Sequence, residues 1–157
     1  RQVEAGADII GVGDAAASLL GPEMFDQFIM PRQKRLFDAI HEAGGKVKLH
    51  ICGNINAILA SIAKTGVDLL DCDHMVPLDQ AREKVGHGIA LAGNMDPVEI
   101  VMNGDVDTVK QSARRCIEAA GWSEHGRFVI QPGCEVPLGT TRENMQALAD
   151  AARAATV

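Results

Sequence analysis

The segment Lys46–Gly53 reads KVKLHICG, and its alternating character decides the fold. In a β-strand, residues two positions apart point to the same side of the sheet. One face of this segment is apolar, which suits packing under helices, and it carries Val47, Leu49 and Ile51. The other face carries Lys48, His50 and Cys52. A polar face of this kind is typical of the interior or mouth of a β/α barrel, where the C-terminal strand ends hold the chemistry.

Apolar strand-like runs and helix-period segments alternate on both sides of that segment. The other strand candidates are Ala7–Gly13, Val67–Asp73, Ile89–Asp96 and Phe128–Cys134. The predicted helices run from Pro22 to Gly44, over Ile55–Lys64, Asp79–Val85 and Asp107–Ala120, and from Thr140 to about Ala155. This α/β alternation predicts a mostly parallel sheet, either open and doubly wound or part of a (β/α)8 barrel. We find no linker or repeat and therefore expect one domain.

Two local signals refine the predicted helices. Pro31 should kink or divide the first of them, because proline lacks the amide hydrogen that a helix interior needs. Thr140-x-x-Glu143 is a capping-box pattern, which predicts that the last helix starts there.

Composition and charge exclude several classes of protein. The chain has 157 residues, of which 46% are hydrophobic and 23% charged, as in an ordinary globular protein. Its formal net charge of -6 argues against a nucleic-acid surface, which needs clustered Lys and Arg. No apolar run approaches the ~20 residues that span a bilayer, and no signal peptide is visible, so we expect no membrane partner and a cytoplasmic location. The chain begins at Arg1 without a Met, and we interpret it as part of a longer chain.

The four cysteines lie at positions 52, 72, 116 and 134, and none belongs to a Cys-x-x-Cys pair. In a cytoplasmic enzyme such cysteines are more often buried, metal-bound or catalytic than disulfide-bonded. Cys72 alternates out of phase with Asp71 and Asp73, so its thiol should face the helices. Cys116 lies on an apolar helical face and should belong to the core.

Cys134 lies at the C-terminal end of another strand candidate, in QPGCEVP. If the strand order follows the sequence, it is three strands from His50, or about 14 Å in a flat sheet. Zinc bonds of ~2.0–2.3 Å do not bridge that separation. In a closed barrel the same side chains point inward and converge, so the zinc and barrel hypotheses support each other. A His-x-Cys pair alone is more often a partly buried histidine beside an inert thiol.

Longer motifs follow one another along the chain: GDAAASLLGPEMFDQFIMP from Gly13, LHICGN from Leu49, LAGNMDP from Leu91 and QPGCEVPLGTTRENM from Gln131. In this order the sequence resembles the uroporphyrinogen-decarboxylase-like superfamily, and within it the zinc-dependent, corrinoid-linked methyltransferases. The resemblance covers almost the whole chain. It implies a (β/α)8 barrel of which residues 1–157 form the C-terminal portion, with the last five strands.

The same resemblance implies a site, a cofactor and a partner. His50, Cys52 and Cys134 match the zinc ligands of the methyltransferases. The second cofactor is a corrinoid, such as a cobalamin, which is carried by a partner protein. A small-molecule methyl donor or acceptor completes the reaction.

Two related families help to judge this assignment. Uroporphyrinogen decarboxylase itself has Gly-His-Gly where this chain has Gly133 and Cys134, and it does not keep the His-x-Cys pair. Cobalamin-independent methionine synthase adds a carboxylate from an intermediate strand to its His-x-Cys and distant Cys. Asp71 and Asp73 lie in such a strand and are both predicted to point inward. Asp73, or its neighbour His74, is the predicted fourth zinc ligand.

Three protein ligands leave one coordination position open, which suits a catalytic zinc. In one mechanism, zinc stabilises a substrate thiolate, which attacks the methyl group of a methyl-corrinoid protein. In the other, zinc polarises the oxygen of a methyl donor such as an aryl methyl ether, while reduced cobalt removes the methyl group. Two thiolate ligands favour the first mechanism, but the sequence leaves both open.

Four polar residues at other strand ends are candidates for the same site. Asp14 is a candidate contact to substrate or to zinc-bound water, and a helix or turn cap is the alternative. Asn94 and Asp96 are candidates for orienting the substrate, although a turn before Pro97 explains them equally well. Glu135 is a candidate general acid or base beside Cys134, with a solvent-facing position as the alternative. The dinucleotide-like GVGDAA is rejected, because no second strand ends in an acidic residue about 20 positions later.

Two other functional interpretations stay open. A porphyrinogen decarboxylase would be a metal-free lyase. A truncated, non-catalytic half-barrel would expose two sheet edges, because five strands do not close an eight-stranded barrel, and it would assemble with another copy through them.

Overall fold

The computed structural model describes residues 1–155 and contains one five-stranded sheet. Its strands are β1 (Ile9–Gly13), β2 (Lys46–Ile51), β3 (Leu69–Cys72), β4 (Ala90–Met95) and β5 (Phe128–Pro132). All neighbouring strands are parallel, and their spatial order follows the sequence. The register places Gly13 beside His50 and His50 beside Asp71. The predicted series of parallel β/α units is confirmed, each strand being slightly shorter than its sequence segment.

Helices connect the strands. They are α1 (Pro22–Met24), α2 (Met30–Glu42), α3 (Leu59–Ile62), α4 (Leu78–Val85), α5 (Val106–Ala119), α6 (Trp122–His125) and α7 (Arg142–Ala155). Other helical segments are the 3-10 helix Ala15–Leu19 and the π-helical segments Phe25–Ile29 and Pro97–Met102. Within residues 1–155 there is no helix of the length and apolarity that crossing a bilayer requires.

The first long helix is interrupted next to Pro31, as predicted. Phe25–Ile29 forms a wider π-helical turn between α1 and α2, and the amide of Met30 donates to the carbonyl of Phe25. Pro31 has no amide hydrogen and its ring crowds the preceding turn, which the wider spacing accommodates. α2 ends at Glu42, shortly before Gly44, whose φ of 89° is the left-handed backbone that favours glycine.

The segment predicted to be helical over Ile55–Lys64 is an α-helix only over Leu59–Ile62. Its start is held in a turn, because the side chain of Asn54 accepts a hydrogen bond from the amide of Asn56 at 3.0 Å. Local side-chain bonds of this kind compete with helix formation. The apolar face was nevertheless predicted correctly, since Ile55, Ile58, Leu59 and Ile62 are all buried.

The last helix begins one residue later than its capping-box pattern predicts. α7 starts at Arg142, and the hydroxyl of Thr141 accepts from the amide of Asn144 at 3.2 Å. A capping hydroxyl bonds the amide three residues on, which identifies Thr141 as the cap. The hydroxyl of Thr140 is buried without a hydrogen-bond partner, so the prediction of Thr140 as the cap was wrong.

Two apolar clusters fill the space between the sheet and the helices. The larger includes the outer-face residues Val47, Leu49, Ile51, Leu70 and Cys72. The smaller joins the end of β4 to α5 and α7 through Met95, Val101, Val109, Ala113, Ala147, Leu148 and Ala151.

Burial raises the pKa of Cys72 to about 12, so this thiol is unreactive, and its predicted position facing the helices is confirmed. Cys116 is only partly buried and packs against both clusters.

Asp68 fastens the N-terminal ends of β2 and β3, opposite the edge where functional residues are expected. Its carboxylate accepts from the amide of Val47 at 2.9 Å and lies 2.7 Å from His41 Nε2 and 3.1 Å from Lys46 Nζ. Burial alone would raise the pKa of this carboxyl, but the hydrogen bonds from His41, Val47 and Lys46 outweigh it and lower the pKa.

Arg82 of α4 is a buried cation that joins four chain segments. It is 7% exposed. Its guanidinium donates to the carbonyls of Gly86, Ile89, Ala120 and Arg127. A guanidinium offers five N–H donors in a fixed planar fork, whereas a lysine offers three from a single nitrogen. Arg82 thus satisfies the carbonyls of the turns that lead into β4 and β5.

Arg82→Lys is expected to lower the free energy of unfolding by about 2–3 kcal/mol, because one ammonium leaves buried carbonyls unpaired. Urea denaturation measures this change. The matched control is Arg153→Lys, at an exposed position where the arginine bonds Asp150 within α7. The control should change stability by less than about 0.5 kcal/mol. Equal stabilities for the two variants would contradict the role given to Arg82.

Candidate metal centre

The polar face of β2 ends in two side chains of metal-binding type. His50 lies near the end of the strand and Cys52 directly after it, with His50 Nε2 3.2 Å from Cys52 Sγ. The turn that follows is fixed at Gly53, which has a φ of 87° and donates its amide to Asp73 Oδ2 at 2.8 Å. The two donors are therefore held by the strand on one side and by a tight turn on the other.

Cys134 is positioned at the end of β5 by Gly133. The amide of Gly133 donates to the carbonyl of Met95 at 2.7 Å, which continues the pairing of β4 and β5. A Cβ atom at residue 133 would collide with the backbone of His74. Glycine is thus required for β5 to approach the loop after β3, and this approach turns Cys134 toward the inner face.

The three donors meet although their strands are not neighbours. β3 and β4 separate β2 from β5, which in a flat sheet would place them about 14 Å apart. In the structure Cys134 Sγ lies 3.9 Å from His50 Nε2, and the donor atoms of His50, Cys52 and Cys134 all lie within 4.8 Å of one another. The sheet is therefore strongly curved, and the inner faces of its strands converge.

One imidazole nitrogen and two sulfurs form a donor set that suits zinc. Tetrahedral zinc with bonds of 2.0–2.3 Å has its ligands about 3.3–3.8 Å apart, close to the observed 3.2 and 3.9 Å. Three protein donors leave one tetrahedral position open, as in catalytic sites. Among the side chains that the structure describes, no other group of His, Cys, Asp and Glu is spaced to hold a metal ion.

A polar layer lies beside the donors on the inner face, formed by Lys48, Asp71 and Gln131. Lys48 Nζ lies 2.9 Å from Asp71 Oδ2, and Gln131 Nε2 donates to Asp71 Oδ1. His50 Nδ1 lies 3.2 Å from the backbone oxygen of Asp71 and 3.6 Å from its Oδ2. Alternation correctly places Lys48 and Asp71 on the inner face. The contact of Gln131 with Asp71 has no signal in the sequence, because it joins strands that are not adjacent.

Asp71 controls the charge of His50. The hydrogen bond between Asp71 and the ring raises the pKa of His50 to about 10. Burial alone would lower this pKa, and the negative charge of Asp71 raises it further. Burial would raise the pKa of Asp71, but the hydrogen bonds from His50 and Lys48 outweigh it and lower the pKa. Without metal His50 is therefore a cation at neutral pH, and a metal ion must displace its proton in order to bind.

Asp73 and His74 lie outside the donor group. Asp73 Oδ2 accepts from the amide of Gly53, and Oδ1 accepts from the amide of Met75 at 3.0 Å. His74 lies between two carboxylates, with Nδ1 3.1 Å from Asp73 Oδ1 and Nε2 3.6 Å from Asp96 Oδ2. In the structure these side chains hold the loops after β2 and β3 together, and the assignment of either as a fourth ligand stays a prediction.

Asn94 and Asp96, the candidates for orienting the substrate, make structural contacts at the end of β4. The side-chain amide of Asn94 donates to two carbonyls of the loop after β3. Asp96 caps the helical segment Pro97–Met102 by accepting from two of its amides, both at 2.9 Å. Neither side chain lines the cavity at the donors. Asp96 therefore has the turn role before Pro97 that the sequence allowed as the alternative.

The donors line an open cavity of about 600 Å³ on the inner face of the sheet. Glu135 lines this cavity and is exposed. Asp14 follows the cavity-lining Gly13, and its Oδ2 accepts from Gln33 Nε2 at 2.9 Å. Its backbone amide donates to the carbonyl of His50 at 3.0 Å. Roles for Glu135 and Asp14 in proton or substrate chemistry stay predictions.

Comparison with known proteins identifies a family. The family described as uroporphyrinogen decarboxylase (URO-D) matches residues 1–155. The methylcobamide:CoM methyltransferase MtbA of Methanosarcina acetivorans is 33% identical over 153 residues, which cover 96% of this chain and 43% of that protein. The uroporphyrinogen decarboxylase of Carboxydothermus hydrogenoformans is 30% identical over 149 residues, covering 95% of this chain and 41% of that protein.

A solved structure gives the same result for the fold. A methyltransferase from Methanosarcina mazei superposes with a TM-score of 0.85 at 31% sequence identity, covering 99% of this chain and 44% of that chain. The predicted partial barrel is thereby confirmed. The chain spans less than half the length of the relatives it matches.

The His50–Asp71 pair predicts a pH dependence for the metal-free chain. A pKa raised from 6.5 to about 10 stabilises the fold fully below pH 6.5, and this contribution is lost as the pH rises through about 10. The free energy of unfolding, measured by urea titration in the presence of a chelator, should therefore fall between these pH values. His50→Asn should remove this part of the slope. The same slope in the wild type and in His50→Asn would contradict the pairing.

Proposed function

Because this chain belongs to the uroporphyrinogen decarboxylase (URO-D) family and unites His50, Cys52 and Cys134 at one point, we propose that it forms part of a zinc-dependent methyltransferase. The observation that carries the proposal is the approach of Cys134 Sγ to within 3.9 Å of His50 Nε2 across three strand spacings. A metal-free enzyme has no evident need for an imidazole and two thiols in such an arrangement.

The proposed reaction moves a methyl group from a corrinoid, carried by a partner protein, to a small thiol. The relative MtbA is named for methylcobamide and CoM, which favours a thiol acceptor over the methyl-ether donor that the sequence left open. Zinc bound to the three donors would keep a coordinated substrate thiol deprotonated at neutral pH. Two thiolate ligands keep the metal electron-rich, which also favours reaction of a thiolate.

The bond changes of this transfer balance without a further reactant. A corrinoid on the partner protein would supply the methyl group and keep the electron pair of the bond that breaks, while the bound thiol would supply the electron pair of the new sulfur–carbon bond. The thiol proton leaves the site, and Glu135, exposed at the edge of the cavity, is the proposed group that receives it. Asp14, held by Gln33 beside the cavity, is the proposed contact to the substrate.

The second candidate is decarboxylation of a porphyrinogen. The 30% identity to a uroporphyrinogen decarboxylase favours it, but a metal-free lyase gives no role to the donor set. Metal content therefore separates the two candidates. The expected association with another copy through the open edges of β1 and β5 stays a prediction that a sizing experiment tests.

Purified protein is expected to hold about one zinc ion per chain, and Cys134→Ser should lose most of it, because a neutral hydroxyl is a poor substitute for a thiolate ligand. The matched control is Cys116→Ser, at a partly buried cysteine on α5 outside the donor group. It should retain the zinc of the wild type. Metal content is measured by plasma emission spectroscopy after dialysis against metal-free buffer.

Two results would overturn the proposal. A wild-type chain without zinc, even after incubation with the metal, would favour the lyase. Unchanged zinc in Cys134→Ser would remove Cys134 from the site. Transfer itself is tested with methylcobalamin and a panel of small thiols, in which loss of the methylcobalamin absorbance should require zinc.

A further inference from the structure

Asp71 is a buried carboxylate of the inner face that joins two other strands. The residue is 6% exposed. It receives contacts from two other strands: Lys48 Nζ and His50 Nδ1 on β2 approach its Oδ2, and Gln131 Nε2 on β5 donates to its Oδ1. Gln131 reaches across β4 because the inner residue of β4 in register with Asp71 is the small Ala92. The carboxylate is therefore held in one orientation from both sides.

The two ring nitrogens of His50 face different neighbours. Nδ1 lies 3.2 Å from the backbone oxygen of Asp71 and 3.6 Å from its carboxylate. Nε2 lies 3.2 Å from Cys52 Sγ and 3.9 Å from Cys134 Sγ. Acceptors therefore surround Nδ1, whereas Nε2 faces the point where the three donors converge. Metal-binding histidines usually donate their second N–H to a carboxylate or carbonyl, which fixes both tautomer and orientation.

We propose that Asp71 is the positioning residue of the zinc site, which keeps the proton of His50 on Nδ1 and directs Nε2 to the metal. Lys48 and Gln131 contribute indirectly, because they hold the carboxylate of Asp71 in place. This inference rests on the proposed function, because it concerns the same zinc site. It assigns to Asp71 a role in metal affinity without direct contact to metal or substrate.

The neighbouring carboxylate does not offer this arrangement. Strand alternation directs Asp73 to the same face as Asp71, but the two carboxylate oxygens of Asp73 accept from the backbone amides of Gly53 and Met75. Its contacts fix loops rather than the ring of His50. Of the two inward carboxylates of β3, Asp71 is therefore the one that acts on the imidazole.

The chain offers a matched control at the opposite end of the same strands. Asp68 precedes β3, and its Oδ2 lies 2.7 Å from His41 Nε2. This is also a His–Asp pair between neighbouring segments, with a lysine, Lys46, at 3.1 Å. It differs from the Asp71 pair in its distance from the donor group. Substitutions at Asp68 thus measure the general cost of breaking such a pair.

The experiment compares the zinc affinity of the wild type, Asp71→Asn, Asp71→Ala and Asp68→Asn by competition with a chromophoric chelator. Asp71→Asn keeps the volume but removes the charge, and its affinity should be about tenfold weaker. Asp71→Ala removes the side-chain acceptor as well and leaves only the backbone oxygen of residue 71 near Nδ1, and its affinity should approach a hundredfold weaker. Asp68→Asn should remain within about twofold of the wild type. If Asp71→Ala does not fold, Asp71→Asn carries the comparison.

A spectroscopic signature separates positioning from a general structural role. In the zinc-loaded wild type, nitrogen-15 NMR should show His50 protonated on Nδ1, with a downfield, slowly exchanging N–H proton. This signal should weaken in Asp71→Asn and weaken further in Asp71→Ala, where the backbone oxygen of residue 71 is the remaining acceptor, and it should persist in Asp68→Asn. If the Asp71 variants keep the zinc affinity of the wild type, or show an unchanged His50 signal, the inference about Asp71 is wrong, and the proposed function is unaffected. A wild type that binds no zinc would overturn it together with the proposed function.

Discussion

Curvature of the sheet is the physical constraint on which the metal centre depends. The outer faces of β2 and β3 carry large buried side chains such as Leu49, Ile51 and Leu70, whereas several inner positions on β4 and β1 hold small residues: Ala92, Gly11 and Gly13. Small groups at these inner positions leave room for the sheet to bend toward the inner face. That bend converts a separation of about 14 Å between β2 and β5 into a 3.9 Å contact between donor atoms. A flat sheet with the same sequence order would have no metal centre.

Charge balance explains why a buried carboxylate and a half-buried lysine lie beside two thiols. Lys48 and Asp71 neutralise each other at 2.9 Å. A divalent metal bound to two thiolates and a neutral imidazole adds no net charge, which limits the cost of placing it in a partly buried site. In the metal-free state the proton on His50 supplies one positive charge, which Asp71 stabilises.

Much of the fold and part of the site could be predicted from local patterns. Apolar runs predicted all five strands, and period-two alternation predicted the inward direction of His50, Cys52 and Asp71, because each depends only on its own strand. The start of α7 and the short extent of α3 depend on which of several nearby side chains bonds the backbone, and Thr141 and Asn54 decide this. The contact of Gln131 with Asp71 spans three strands, and the backbone bonds of Asp73 depend on two loops. Composition and spacing do not encode contacts of this kind.

The metal centre and the enclosure of the substrate have different structural origins. All three donors come from β2 and β5, which belong to one continuous set of hydrogen-bonded strands. The geometry of the centre is therefore a local property of this sheet, although the chain spans less than half the length of its relatives. The cavity, by contrast, is open, and the described part of β1 and β5 pairs on one side only. Closing it needs further strands or another chain, because an aqueous opening of this size does not exclude water from a reacting thiolate. The geometry of the three donors thus depends on residues of this chain, whereas methyl transfer under the proposed function also needs an enclosed site.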